Sequence, residues 1–144
     1  MNIRQINSTV YAAPQIVPED VAEAKAMGVK LIINNRPEGE EIGQPDGAEI
    51  EAAAEAAGLH YIAIPVTHAG FSTPQVDAMR AALDENEGGK TLAFCRSGTR
   101  STLLWALAEA KDGKDPDDIA EAAAAAGYDV APVRMLLDAF AKAN

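Results

Sequence analysis

This chain of 144 residues has one cysteine, and the residues behind it could give it chemistry. Cys95-Arg96-Ser97-Gly98-Thr99-Arg100-Ser101 puts two arginines, three hydroxyls and a glycine within six residues of a thiol. Thr91 to Phe94, ahead of it, is strand-type, and Thr102 to Leu107, behind it, reads as helix. Strand, tight loop and helix together aim backbone N–H groups and the positive end of a helix dipole at an anion. A cysteine at a helix N-terminus beside arginines can have its pKa lowered from about 8.5 to roughly 3.5–7.5, and the thiolate is the nucleophile. Arg100 offers a planar fork that suits an oxyanion. Ser101 brings a hydroxyl within reach of the sulfur, and Gly98 lets the backbone turn inward. Cys95, Arg100 and Ser101 are therefore the candidate catalytic residues, and Arg96, Ser97, Gly98 and Thr99 the candidate anion cradle. A lone cysteine after an apolar strand is usually plain core. Two arginines so close to a buried structural thiol would need an anion, which favours the chemical reading.

The elements that must position this loop are legible along the chain. Ile3–Ile6 and Val10–Ala12 read as short edge strands split by Asn7-Ser8. Pro18 fits the first position of a helix running to about Met27, ended by Gly28. Val29 to Asn34, with Leu31-Ile32-Ile33 at its centre, reads as a strand buried on both faces. Residues 46–57 form an Ala- and Glu-rich helix ended by Gly58, and Tyr61–Ile64 the next strand. Ser72 and Gln75 frame a capping box around Pro74, with Val76, Met79 and Leu83 on the core face of the helix. Gly88-Gly89 turns into the central strand, Lys90–Phe94. Asp115-Pro116 starts a further helix ended by Gly127, and Pro132 opens the last, with Val133, Leu136, Leu137 and Phe140 on one face. Strands alternating with helices give one domain, residues 1–144. Its class is α/β: a mainly parallel sheet covered on both faces, with the site at the C-terminal edge.

At that edge, the polar loop Asn35–Glu41 follows the Val29–Asn34 strand. Arg36 there either adds a cation to the site or pairs on the surface with Glu38 or Glu40. The formal charge of −10 argues against nucleic acid or an anionic membrane as partner. A positive pocket in an acidic protein suits a small anion or a phosphorylated protein. One cysteine makes no internal disulfide, and Met1–Asn7 has no apolar leader, so a cytoplasmic protein is expected. Neither a metal nor a cofactor is expected, and the oligomeric state is open.

The spacing Cys95-x4-Arg100-Ser101 resembles two families. Cysteine phosphatases carry five residues between cysteine and arginine. Single-domain rhodaneses often carry Cys-x-x-Gly-x-Arg, the spacing here, and a shorter loop makes a tighter cradle. The wider chain resembles the bacterial beta-lactamase-hydrolase-like, phosphatase-like domain family. The matching stretches are Leu31–Glu38, Gln44-Pro45, Ala56–Tyr61, Ile64–Val66, and Cys95–Ser101 with Trp105. That resemblance implies a fold similar to dual-specificity phosphatases and a phosphatase or sulfurtransferase activity. In the phosphatase version, Cys95 attacks a phosphate monoester gripped by loop amides and Arg100. Similar phosphatases draw an aspartate general acid from the loop corresponding to Pro65–Thr73. No Asp or Glu stands there, and His68 is its one titratable side chain. In the sulfurtransferase version, Cys95 takes the outer sulfur of a thiosulfate-like donor as a persulfide. A third possibility is a non-catalytic anion-binding or redox-sensing module.

Overall fold

The central strand dictates the architecture. In Lys90–Phe94 (β5), alternate side chains point to opposite faces, so Leu92 and Phe94 enter one apolar layer and Ala93 the other. A strand buried on both faces needs helices above and below it. The computed structural model, which describes residues 1–143, provides them. The other strands are β1 (Arg4–Gln5), β2 (Val10–Ala13), β3 (Val29–Asn34) and β4 (His60–Ala63). The order across the sheet is β1-β2-β5-β3-β4, all parallel except the β1/β2 hairpin. The expected α/β sheet is therefore present, but β2 is not an edge strand. It lies between β1 and β5, its four residues buried.

Helices α1 (Asp20–Ala26) and α2 (Gly47–Ala56) cover one face, packing Val21, Ala24, Ile50 and Ala54 against Ile32, Leu92 and Phe94. Helices α3 (Thr73–Glu85), α4 (Thr99–Lys111), α5 (Pro116–Ala125) and α6 (Arg134–Lys142) cover the other. In β3, Leu31 and Ile33 face this second layer and Ile32 the first, while Lys30 is exposed beside a register irregularity between Val29 and Leu31.

Local signals set most ends. The Ser72–Gln75 capping box opens α3, and Asp46 and Asp115 cap α2 and α5. Pro18 lies ahead of α1, which starts at Asp20, because Pro18 and Val17 form the turn whose carbonyls accept from Val21 and Asp20. Pro132 lies in a short 3-10 turn, Ala131–Val133, and α6 begins after it. Helix α4 starts three residues earlier than its apolar run suggests, immediately after Gly98. From Ser101 to Ala108 every one of its residues is buried. It is the internal pillar of the second layer, and truncating Leu104 or Leu107 to alanine should cost about 2–5 kcal/mol. The cysteine loop is thereby fixed at both ends, by the central strand and the most buried helix.

Candidate active site

Residues 95–98 leave β5 and turn sharply into α4. Gly98 has φ +89, the left-handed region. A Cβ there would sit 2.3 Å from the Tyr128 hydroxyl and 3.3 Å from the Ala13 carbonyl carbon, so only glycine fits. The turn brings the Gly98 N–H onto the Cys95 Sγ at 3.1 Å. Cys95 is buried, yet it belongs to neither apolar cluster. Neighbouring strands tie the loop down: the Cys95 N–H donates to the Ala13 carbonyl, and the Gln15 N–H to the Arg96 carbonyl. Thr102 Oγ1 donates to the Gly98 carbonyl, and the Ser97 and Thr99 hydroxyls bond each other at 3.0 Å. The N–H groups of Arg96, Ser97, Arg100 and Ser101 donate to no protein acceptor among the described residues.

Arg100 is held in one orientation. A guanidinium has five N–H donors. Nη1 uses two, on Glu40 Oε2 at 2.8 Å and the Val66 carbonyl at 2.6 Å. Nη2 uses one, on Glu40 Oε1 at 2.8 Å. Nε–H and the second Nη2–H remain, side by side on one edge, with Cys95 among the neighbours acting on the group. The pair is close enough that the Glu40 carboxyl is pushed down to about 2, first by the hydrogen bond from Arg100 and then, against a cost of burial, by that from Arg36. Arg100 in turn is pushed up, chiefly by its bond to Glu40.

Glu40 is the residue that sequence reasoning undervalued. It figured there only as a surface partner for Arg36. Arg36 does pair with it, Nε to Oε1 at 2.9 Å, but the Arg36 side chain is 4% exposed and lies inside, not on, the surface. One carboxylate oxygen thus joins Arg36 and Arg100, and Arg36 reaches the loop through Glu40. Its Nη1 donates to Gln15 Oε1 at 3.1 Å. Glu38, the other partner considered, accepts instead from the Gly47 N–H at the start of α2.

The remaining candidates are placed as follows. Ser101 is buried and gives its one hydroxyl proton to Asn35 Oδ1 at 2.7 Å, not to the sulfur. Asn35 Nδ2 donates on to the Ile64 carbonyl, so this bond staples α4 to the ends of β3 and β4. Arg96 turns outward and meets Glu41 at 2.9 Å, both side chains more than half exposed. His68 is 83% exposed, its Nε2 3.9 Å from Glu40 Oε2. Tyr128, absent from sequence reasoning, lays its hydroxyl against Gly98 and the Ser97 carbonyl. Its hydroxyl is pushed up by burial. No local pattern announces Asn35, Gln15 or Tyr128, because their partners lie tens of residues away. Surface hollows of about 310 and 280 Å³ open around Asn86, at the other end of the strands, and hold none of these residues.

A mainly parallel sheet with helices on both faces, and a cysteine loop between its middle strand and a buried helix, defines a cysteine-phosphatase-like protein. The chain belongs to the family described as beta-lactamase hydrolase-like protein, phosphatase-like domain, whose match covers residues 2–114. It is 37% identical over 131 residues to a beta-lactamase hydrolase-like protein of Agrobacterium fabrum. That match covers 90% of this chain but 30% of the relative, so the chain spans about a third of the length of that protein. A crystal structure of a candidate phosphatase from Neisseria meningitidis superposes with TM-score 0.82 at 35% identity, covering 97% of this chain and 99% of that one. PTPMT1, crystallised in complex with PI(5)P, superposes with TM-score 0.77 over 98% of this chain and 95% of its own, at 17% identity, a likeness of fold alone. Among the described residues, no helix is long and apolar enough to cross a membrane.

Proposed function

We propose that this phosphatase-like domain is a cysteine-dependent hydrolase of phosphate monoesters, on a small molecule or a phosphorylated protein, in a reducing compartment such as the cytoplasm. One observation carries the reading: Arg100 is clamped by Glu40 and Val66 so that its remaining edge, Nε–H and the second Nη2–H, is not spent on the clamp, with Cys95 acting on the same guanidinium. The N–H groups of Arg96, Ser97, Arg100 and Ser101, which meet no protein acceptor among the described residues, are the further donors of this proposal. The Cys95 thiolate attacks phosphorus, an S–P bond forms, and the P–O bond to the leaving group breaks. Donors fixed before the reaction then meet the charge on the equatorial oxygens without reorganising. Water hydrolyses the S–P bond, restoring the thiolate and releasing phosphate.

The leaving oxygen needs a proton, and the site is poor in acids. Glu40 is the carboxyl beside Arg100, but at about 2 it is ionised at neutral pH and has no proton to give. His68, at the mouth, is the proton donor of this proposal. The shortage of acids also favours a second reading. A rhodanese-like sulfurtransferase needs no proton donor, because sulfite leaves unassisted when Cys95 takes the outer sulfur of thiosulfate. Its loop spacing, four residues from Cys95 to Arg100, is the one found here.

One experiment separates the readings. Wild type and Cys95→Ser are each given an aryl phosphate and, separately, thiosulfate with cyanide. Phosphate release by wild type alone supports the hydrolase. Thiocyanate, with one extra sulfur on Cys95 by mass, supports the transferase. Neither product leaves an anion-binding or redox-sensing module.

A further inference from the structure

The hydrolase reading uses Arg100 and leaves two arginines at the same site unexplained. Arg36 is nearly sealed from solvent, and its Nη2 is buried without a hydrogen-bond acceptor. Leaving a charged donor buried and unmatched is costly, and natural sites seldom keep one without a use. Arg96 stands on the opposite flank. Both converge on one atom, Glu41 Oε2, which lies 2.9 Å from Arg96 Nη2 and 3.8 Å from Arg36 Nη2. Glu41 satisfies Arg96 but stops short of hydrogen-bonding Arg36. A free anion is not tied to the backbone at residue 41.

Glu41 is also well placed to leave. Its side chain is 52% exposed, and its pair with Arg96 is a solvated surface contact of the kind that adds little. The arm that carries it, Gly39-Glu40-Glu41-Ile42-Gly43, is bracketed by two glycines at positive φ, and Ile42 is fully exposed. Glu40, by contrast, holds two arginines with three hydrogen bonds and stays.

We propose that Arg36 and Arg96 form a second anion subsite, occupied at rest by the Glu41 carboxylate, so that the preferred ligand is a phosphate monoester bearing a second anionic group. This rests on the phosphate reading above. The phosphoryl group sits on the Cys95 loop and Arg100, while the second group displaces Glu41 and gives Arg36 Nη2 its missing acceptor. Discrimination against esters whose phosphoryl group is the one anionic group follows, because they leave that nitrogen unmatched.

The test is protection of Cys95 from iodoacetamide, which needs no turnover. The probes are glycerol 3-phosphate and 3-phosphoglycerate, the same skeleton with and without a carboxylate, at constant ionic strength. The carboxylate-bearing probe should protect at about tenfold lower concentration. Arg96→Ala should shrink that ratio to about twofold or less, and Glu41→Gln should widen it. Both positions are exposed enough to vary without loss of the fold. Equal protection in wild type, or a ratio indifferent to Arg96→Ala, overturns the second subsite while leaving the first. Failure of both probes to protect at millimolar concentration overturns the phosphate reading, and this inference with it.

Discussion

Two loops at the same edge of the sheet are built very differently. The Cys95–Ser101 loop is pinned by β2, by Asn35 and Thr102, and by the Glu40–Arg100 clamp. The Pro65–Ser72 loop, after β4, is largely exposed around Thr67–Gly70, and its imidazole is 83% in solvent. On the hydrolase reading proposed above, the first is preorganised for gripping an anion, and the second offers an unburied proton donor at most. Anion capture would then be built into the resting fold while leaving-group protonation is not, and such an enzyme should handle good leaving groups far better than poor ones.

The sharpest way to break this contrast is Arg100→Lys. A single ammonium cannot hold Glu40 end-on and also present two parallel donors, so kcat/KM on an aryl phosphate should fall by about 10²–10³. Steady-state kinetics with near-normal turnover would show that the clamp is not what organises the site. Glu40→Gln comes next. Loss of the clamp lets Arg100 drift, and activity should drop about 10²-fold. A rise would mean instead that Glu40 competes with substrate. His68→Ala should cost an aryl phosphate little and an alkyl phosphate about tenfold or more. Equal losses on both would remove His68 as the acid and set the two loops further apart.

The smallest effect is on stability in acid. Glu40 titrates lower when folded, about 2 against an ordinary 4.5, so its stabilisation is complete above 4.5 and fades as pH falls toward 2. Melting curves of wild type and Glu40→Gln should differ by roughly a few degrees at pH 7, the pair being partly screened by solvent. The gap should close between pH 4.5 and 2. A gap independent of pH would assign the effect to packing rather than charge.

Most of the architecture could be read along the chain, because helix ends and strand faces are written in neighbouring residues. Ser72, Pro74 and Gln75 announce α3, and Asp115-Pro116 announces α5. Misreadings fell where a neighbour in space decided. Val10–Ala13 looks like any short strand, and only its pairing with β5 makes it internal. Pro132 suits a helix start, yet the chain makes a tighter turn there before α6.

The sequence alone singled out the proposed nucleophile, the candidate anion loop and the arginine that closes it, since strand, cysteine, glycine and helix start lie within one run of residues. Partners and directions were settled only by the tertiary structure. Ser101 turns to Asn35, 66 positions away, and Arg100 to Glu40, 60 positions away. A hydroxyl or a guanidinium bonds whatever acceptor the packing brings within about 3 Å, and linear spacing carries no record of that distance.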